Sequence, residues 1–288
     1  MQKNKFMSNK KAKSSHQFYP MALTIAGSDS GGGAGMQADL RTFNAFGVFG
    51  TSVITAVTSQ NPRQISGIEK MSAGCVRTQL ESVFSCYTPA FVKTGMLADV
   101  QQIQLVADVV EKYNLNLVCD PVLMTDRNAD MLKMYCSKLF PVAAWITPNV
   151  AEAEQILGDN FRITGEKELF SAARKLHERF GVSVVLKGGH LDLPESVDAV
   201  CRGGKMYRLS SPEAEVMPFS RHGVGCTFSA ALTAGLVLDY PWKQALCEAK
   251  SFVLGSLTQN VELASGVFGM YPPTEDCYDL IKLEAIGD

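Results

Sequence analysis

A chain of 288 residues, 46% hydrophobic and 19% charged, can bury a large core and fits one α/β domain or two small ones, of which one is expected. Its net charge of -2 and pI near 6.1 give no electrostatic footprint for nucleic acid or an anionic membrane, which leaves a small molecule as the expected partner. Eight cysteines are scattered without Cys-x-x-Cys pairs or zinc spacing, and no stretch reads as a signal peptide, so reduced, buried thiols and a cytoplasmic location are expected.

Residues 1–20, with Lys3, Lys5, Lys10, Lys11 and Lys13 and no acidic side chain, read as a disordered basic tail, and residues 21–288 as the folded unit. From Met21 onward, short β-branched runs alternate with longer segments of helical period, the pattern of a parallel sheet covered by helices. In chain order the spacing predicts a strand at 23–26, a helix at 36–46, a strand at 48–57 and a helix at 73–85. A strand at 91–93, a helix at 101–113, a strand at 117–119 and a helix at 129–139 follow. Next come a strand at 145–147, helices at 151–157 and 166–180, and a strand at 182–186. Segments 196–202 and 205–209, joined by Gly203-Gly204, read as an antiparallel hairpin, and helices at 227–238 and 242–262 close the domain.

Two glycine-rich runs punctuate this pattern. Gly223-Val224-Gly225-Cys226-Thr227 precedes a helix of small residues. Glycines there let backbone N–H groups converge while the helix dipole adds partial positive charge, so the run suits a phosphate or a developing anion and sets a thiol beside it. The other run, Ala26-Gly27-Ser28-Asp29-Ser30-Gly31-Gly32-Gly33-Ala34-Gly35, also joins a strand to a helix, where an ordinary turn is the favoured reading. Neither contains a Walker lysine or the spacing Gly-x-Gly-x-x-Gly, which excludes a P-loop ATPase and a conventional dinucleotide dehydrogenase. Together they suggest a small-molecule phosphotransferase.

Ligands of open α/β sheets lie beyond the carboxyl ends of the strands, and Gln60, Lys93, Asp120, Asn149 and Lys187 fall at such ends. Asn149 and Glu152 share the first turn of a helix, where they can hold Mg²⁺ through waters or form a capping box. Asp120-Pro121 suits either a carboxylate near magnesium or a turn. Lys187-Gly188-Gly189-His190 combines a phosphate-neutralising lysine with glycines that admit close approach. Lys93-Thr94-Gly95-Met96 suits a pocket wall, while Asp39 and Gln60 can read a heteroaromatic ring or stand on a polar surface.

The segments 23–40 (from Leu23-Thr24-Ile25 to Gln37-Ala38-Asp39-Leu40) and 53–61 (Val53 to Asn61) strongly resemble the bacterial hydroxymethylpyrimidine and phosphomethylpyrimidine kinases of thiamine synthesis. Lys93-Thr94-Gly95-Met96-Leu97, Ile146-Thr147-Pro148-Asn149, Leu186-Lys187-Gly188-Gly189-His190 and His222-Gly223-Val224-Gly225-Cys226-Thr227 continue the match in order. The resemblance implies a ribokinase-like, three-layer α/β/α sandwich around a mostly parallel sheet. It implies ATP and Mg²⁺ as cofactors, and stepwise phosphorylation of 4-amino-5-hydroxymethyl-2-methylpyrimidine to the mono- and diphosphate. Gly27, Asp39, Thr58, Gln60 and Met96 are then expected at the pyrimidine, Gln60 pairing the ring nitrogen and amino group. Asp120, Asn149 and Lys187 are expected at the nucleotide phosphates, and Glu152 with Asn149 at water-mediated Mg²⁺. Gly223, Val224, Gly225 and Cys226 are expected to form the catalytic anion hole, the thiol serving as base through a pKa lowered at the helix N-terminus. A homodimer is also implied.

Two departures from that pattern stand out. Val224 replaces a threonine, and Leu123-Met124-Thr125-Asp126-Arg127-Asn128-Ala129-Asp130 lacks the lysine and glycine that the family carries in a flap, Arg127 being the candidate substitute cation. The rival readings are a pyridoxal or pyridoxine kinase and a non-catalytic pyrimidine-binding or regulatory protein.

Overall fold

The computed structural model describes residues 18–123, 129–158, 160–189 and 191–287. The expected tail up to residue 17, Arg127 with the flap core 124–128, and His190 lie outside the described residues.

Ten strands form one sheet, and its parallel centre is laid down by strand–helix alternation. Strand β1 (Met21–Asp29) leads through α1 (Gly35–Ala45) to β2 (Phe49–Asn61), which folds back on β3 (Gln64–Lys70). Helix α2 (Ala73–Phe84) then carries the chain to the other side of β1, to β4 (Phe91–Thr94). The succession continues through α3 (Val100–Tyr113), β5 (Asn116–Cys119), α4 (Ala129–Met134), β6 (Trp145–Ile146), α5 (Val150–Leu157), α6 (Glu166–Phe180) and β7 (Ser183–Lys187). Strands β8 (Glu195–Arg202) and β9 (Lys205–Pro212) follow, then α7 (Val224–Val237), α8 (Trp242–Thr258), a small hairpin of β10 (Val261–Ala264) with β11 (Val267–Gly269), and β12 (Lys282–Ile286).

The sheet order is β12-β9-β8-β7-β6-β5-β4-β1-β2-β3. Pairing is parallel from β2 through β7 and antiparallel at both ends. The order reverses at β1, the switch point beside which open α/β sheets bind ligands.

One face packs Val76, Leu80, Ile103, Val106, Leu169 and Leu176 from α2, α3 and α6 against the sheet. The other packs Phe43, Phe228, Leu232, Leu246 and Phe252 from α1, α7 and α8. Helix–sheet–helix layering follows, so the chain has the expected three-layer α/β/α sandwich around a mostly parallel sheet.

Several boundaries differ from expectation. Strand β2 runs four residues past its expected end and pairs with β3, which was not anticipated because Gln64–Lys70 is largely exposed and shows no apolar alternation. The expected helix at 129–139 gives way after Met134 to a π-turn over Tyr135–Leu139. The closing helix stops at Thr258, and Val261–Ala264 is strand. The hairpin of β8 and β9 does form, and Gly203 and Gly204, at φ of 57° and 73°, supply its turn. All eight cysteines are free, but only Cys119 and Cys201 are buried as expected; Cys136, Cys226, Cys247 and Cys277 are partly exposed, and Cys75 and Cys86 are exposed.

Candidate active site

Parallel pairing sends the carboxyl ends of β1, β4, β5, β6 and β7 to one edge, and the polar residues that follow them meet there. Asp120, just past β5, is 2% exposed. Its Oδ1 accepts from Lys187 Nζ at 2.8 Å and from Thr147 Oγ1 at 3.1 Å, and its Oδ2 from Ser229 Oγ at 3.1 Å. Burial raises the Asp120 pKa, but the ammonium groups of Lys187 and Lys93 outweigh it and hold the carboxyl below its ordinary value. Burial lowers the Lys187 pKa, and Asp120 with Glu152 more than reverses that, so the ammonium persists.

Asn149 and Glu152 form a true capping box on α5. Glu152 N–H donates to Asn149 Oδ1 at 2.9 Å, and Asn149 N–H donates to Glu152 Oε2 at 2.8 Å. A bridge of Asn149 to Lys187 ties this helix start to the end of β7. Burial pushes the Glu152 carboxyl up to about 7, Lys187 opposing and Asp120 adding to the rise. The helix cap and the polar cluster are thus one arrangement.

The second glycine-rich run closes over this cluster. Gly223 is the N-cap of α7 at φ 87°, and no side chain caps the helix. A Cβ at Gly223 would run into the Gly33 carbonyl, so the two glycine-rich loops touch backbone to backbone. A Cβ at Gly225 would sit 3.0 Å from Lys187 Nζ and 3.8 Å from Asp120 Oδ2, which puts the first turn of α7 directly over the charged pair.

Cys226 faces the same space and is partly exposed. Burial pushes its thiol up to about 11, Lys93 working against the rise and Asp39 and Asp120 adding to it. This runs against the expected lowered pKa: desolvation, with two nearby carboxylates adding to it, outweighs Lys93 and the Gly35 backbone.

A cavity of about 300 Å³ opens from this point. Asp120, Asn149, Glu152, Lys187 and Gly223 to Cys226 line one end, and Pro212, Ala214, Val253, Leu254 and Leu257 give an apolar stretch of wall. Ser196, Asp198 and Lys250 also line it, none of which was singled out from the sequence. Long apolar segments hide such residues, since Lys250 is one charge on the buried face of α8.

The residues expected at the pyrimidine are not among those lining this cavity. Gly27 and Met96 are in contact: a Cβ at Gly27 would come within 2.6 Å of Met96 Cε. Thr58 Oγ1 donates its one proton to the Ser28 carbonyl at 2.9 Å, with Gln60 Oε1 also close at 3.1 Å. Gln60 Nε2 lies 3.4 Å from His222 Nε2, which itself is 2.8 Å from Asp29 Oδ2. The ring N–H is committed to the closer carboxylate, so the Gln60 amide donors remain available to a ligand. His222, immediately before Gly223 on the loop, joins regions 193 residues apart and was not named as a site residue.

Asp39 sits differently from expectation. Its carboxylate has no solvent exposure; it accepts from Lys93 Nζ at 2.9 Å on each oxygen and from Thr24 Oγ1 at 2.6 Å. It underlies the site as half of a buried ion pair, and Lys93 is likewise inside rather than on a pocket wall. The partner lies 54 residues away, on β4 while Asp39 is on α1, beyond the reach of local pattern.

The chain matches the phosphomethylpyrimidine kinase family over residues 29–271. It belongs to that family. The chain is 38% identical over 252 residues to a hydroxymethylpyrimidine/phosphomethylpyrimidine kinase of Rhizobium meliloti, covering 85% of this chain and 93% of that one. A thiamine biosynthesis bifunctional protein of Geobacter sulfurreducens is 39% identical over 250 residues, 85% of this chain, which spans about half the length of that relative. Among solved structures, the pyridoxal kinase from Staphylococcus aureus in complex with ADP superposes with a TM-score of 0.85 at 30% identity, covering 93% of this chain and 100% of that one.

Proposed function

We propose that this phosphomethylpyrimidine kinase family member transfers the γ-phosphoryl group of ATP to hydroxymethylpyrimidine and then to its monophosphate, with the cavity as nucleotide site and Gly223 to Cys226 as the anion hole. The uncapped N-terminus of α7 over the Lys187–Asp120 pair carries this reading, because it leaves N–H donors and a cation converging on one end of a nucleotide-sized space.

In this reading the phosphates lie against the first turn of α7 and Lys187, and the base lies along Val253, Leu254 and Leu257. Gly27, Met96 and Gln60 hold the pyrimidine, while Asp39 and Lys93 fix the floor from below. Phosphoryl transfer asks mainly for positioning and charge neutralisation, which these groups provide.

Magnesium is proposed to sit among Asp120, Glu152 and the phosphates. The carboxylate oxygens of Asp120 and Glu152 are hard donors of the kind a small dication takes through water, and a dication held there would favour the ionised form of Glu152 that burial alone disfavours. Both Glu152 oxygens serve backbone N–H groups, so water-mediated contact preserves the cap. When bound, the ion neutralises charge on the β- and γ-phosphate oxygens.

The two steps differ in what they ask of Cys226. The alcohol carries a proton that the thiol can take only after ionising, whereas a phosphate monoester, with a second pKa of about 6, attacks as an anion. A pyridoxal kinase activity is the second reading, supported by the likeness to the Staphylococcus aureus enzyme. A homodimer, and a single kinase unit over residues 21–288, complete the proposal.

Product formation resolved by mass tests it, with ATP, Mg²⁺ and one of hydroxymethylpyrimidine, its monophosphate or pyridoxal. Mono- and then diphosphate from the pyrimidine is the expected result. Dominant pyridoxal phosphate establishes the second reading, and binding without ATP consumption overturns both.

A further inference from the structure

The charged pair Asp198–Lys250 stands on the cavity wall with no part in the mechanism above. Lys250 Nζ is 2.8 Å from Asp198 Oδ2 and 2.9 Å from Ser196 Oγ, and the side chains are only 6% and 5% exposed. A buried ion pair is a weak source of stability, since desolvation offsets most of the attraction, so its location calls for another account.

The second oxygen of Asp198 supplies one. Oδ1 accepts from Gly188 N–H at 3.0 Å. Gly188 follows Lys187, and a Cβ there would strike the Val197 carbonyl, so this turn lies flat against β8. On its outer side, Arg221 Nη1 donates to the Gly189 carbonyl at 2.8 Å, and Arg221 Nη2 pairs with Glu213 at 2.6 Å. The turn is therefore gripped from within by Asp198 and from outside by Arg221. The inner grip is rigid because Lys250 holds the other oxygen of the same carboxylate from α8. Lys187 leaves this turn to reach Asp120 at 2.8 Å beneath Gly225.

We infer that Asp198, oriented by Lys250, is a positioning residue for nucleotide phosphate: it fixes the Lys187–Gly188–Gly189 turn so that the Lys187 ammonium stands under the α7 N-terminus. The inference rests on the nucleotide reading of the cavity. Two functions follow from one carboxylate. Its charge is matched by Lys250, and its free lone pair sets the turn by a charge-assisted hydrogen bond.

The test compares Asp198→Ala, which removes the acceptor, with Asp198→Asn, which keeps an oxygen for Gly188 N–H. ADP affinity is measured by calorimetry with Mg²⁺ present, alongside KM for ATP and for hydroxymethylpyrimidine. Asp198→Ala is expected to weaken ADP binding and raise KM for ATP about tenfold or more, leaving KM for the pyrimidine unchanged, and Asp198→Asn to restore most of the loss. If the unpaired Lys250 prevents Asp198→Ala from folding, Asp198→Ala/Lys250→Met removes both charges and is expected to show the same selective loss. Equal ADP affinity in wild type and variants, equal damage to both KM values, or no difference between Ala and Asn overturns the inference alone. A wild-type protein that fails to bind ADP overturns the nucleotide reading beneath it.

Discussion

The two glycine-rich loops look alike in sequence and differ in what fills them. In residues 26–35, the Asp29 carboxylate takes N–H groups of Gly31 at 2.8 Å, Gly33 at 3.1 Å and Ala34 at 2.8 Å, with His222 at 2.8 Å on the same side chain. Burial raises the Asp29 pKa, but His222 and these backbone donors outweigh it and keep the carboxyl ionised. In residues 223–227 no side chain caps the helix, and the loop borders the cavity. One loop contains its own anion; the other is left open for one. Glycine content therefore predicts the backbone shape of an anion nest, and an acidic residue at the start of the run decides whether the nest is spoken for.

The sharpest way to break this comparison is Gly223→Ala. A side chain at φ 87° meets the Gly33 backbone, separating the loops and tilting the first turn of α7. We expect activity to fall about a hundredfold or more, with about 2–4 kcal/mol of stability lost. Wild-type turnover would remove the loop contact from the account.

Cys226→Ala sharpens the roles within the open loop. Phosphorylation of the alcohol should fall about tenfold to a hundredfold, and that of the monophosphate only slightly. In the wild type, with the thiol pushed up to about 11, the alcohol step should climb with pH through 7 to 9, by as much as about tenfold per unit, while the monophosphate step levels off once its phosphate is dianionic. Parallel losses and parallel pH profiles in rapid-quench kinetics would contradict the division.

Asp29→Ala empties the first nest. It should cost about 1–3 kcal/mol, because three N–H groups and His222 lose their acceptor, yet spare ADP affinity. Inorganic sulfate should recover part of the loss in thermal unfolding of the variant more than in wild type; no such rescue would show that the emptied loop is not an anion nest.

At Glu152 the expected effect is on the pH dependence of stability rather than on activity. Its carboxyl is raised from 4.5 to about 7, so the folded chain keeps a proton that the unfolded chain releases in that window. Stability from this group is present below pH 4.5 and lost as pH rises to about 7. Relative to Glu152→Gln, wild type should lose up to about 1.4 kcal/mol per pH unit across the window, read from urea midpoints at pH 5 and 8. A constant difference would mean that the carboxyl is ionised throughout.

Much of this was legible in sequence, for identifiable reasons. Alternating apolar strands and helices fixed the parallel centre, and Asp120, Asn149 and Lys187 stood out because polar residues at strand ends share one edge of such a sheet. The Asp39–Lys93 pair was out of reach of local pattern, since it joins α1 to β4, elements that meet only once β4 pairs beside β1. The His222–Asp29 link and the Asp198–Lys250 pair stayed hidden because each joins elements far apart in the chain. Strand β3 escaped because this exposed edge strand carries little apolar alternation, and β12 because it is short and its partner β9 lies far back in the chain.

The most direct measurement is backbone amide NMR on protein carrying ¹⁵N-glycine, titrated with Mg²⁺ and ADP. The account predicts large shifts at Gly223 and Gly225 and little movement at Gly31 and Gly33, whose N–H groups are already held by Asp29. Shifts at Gly31 and Gly33 with Gly223 and Gly225 unmoved would contradict it.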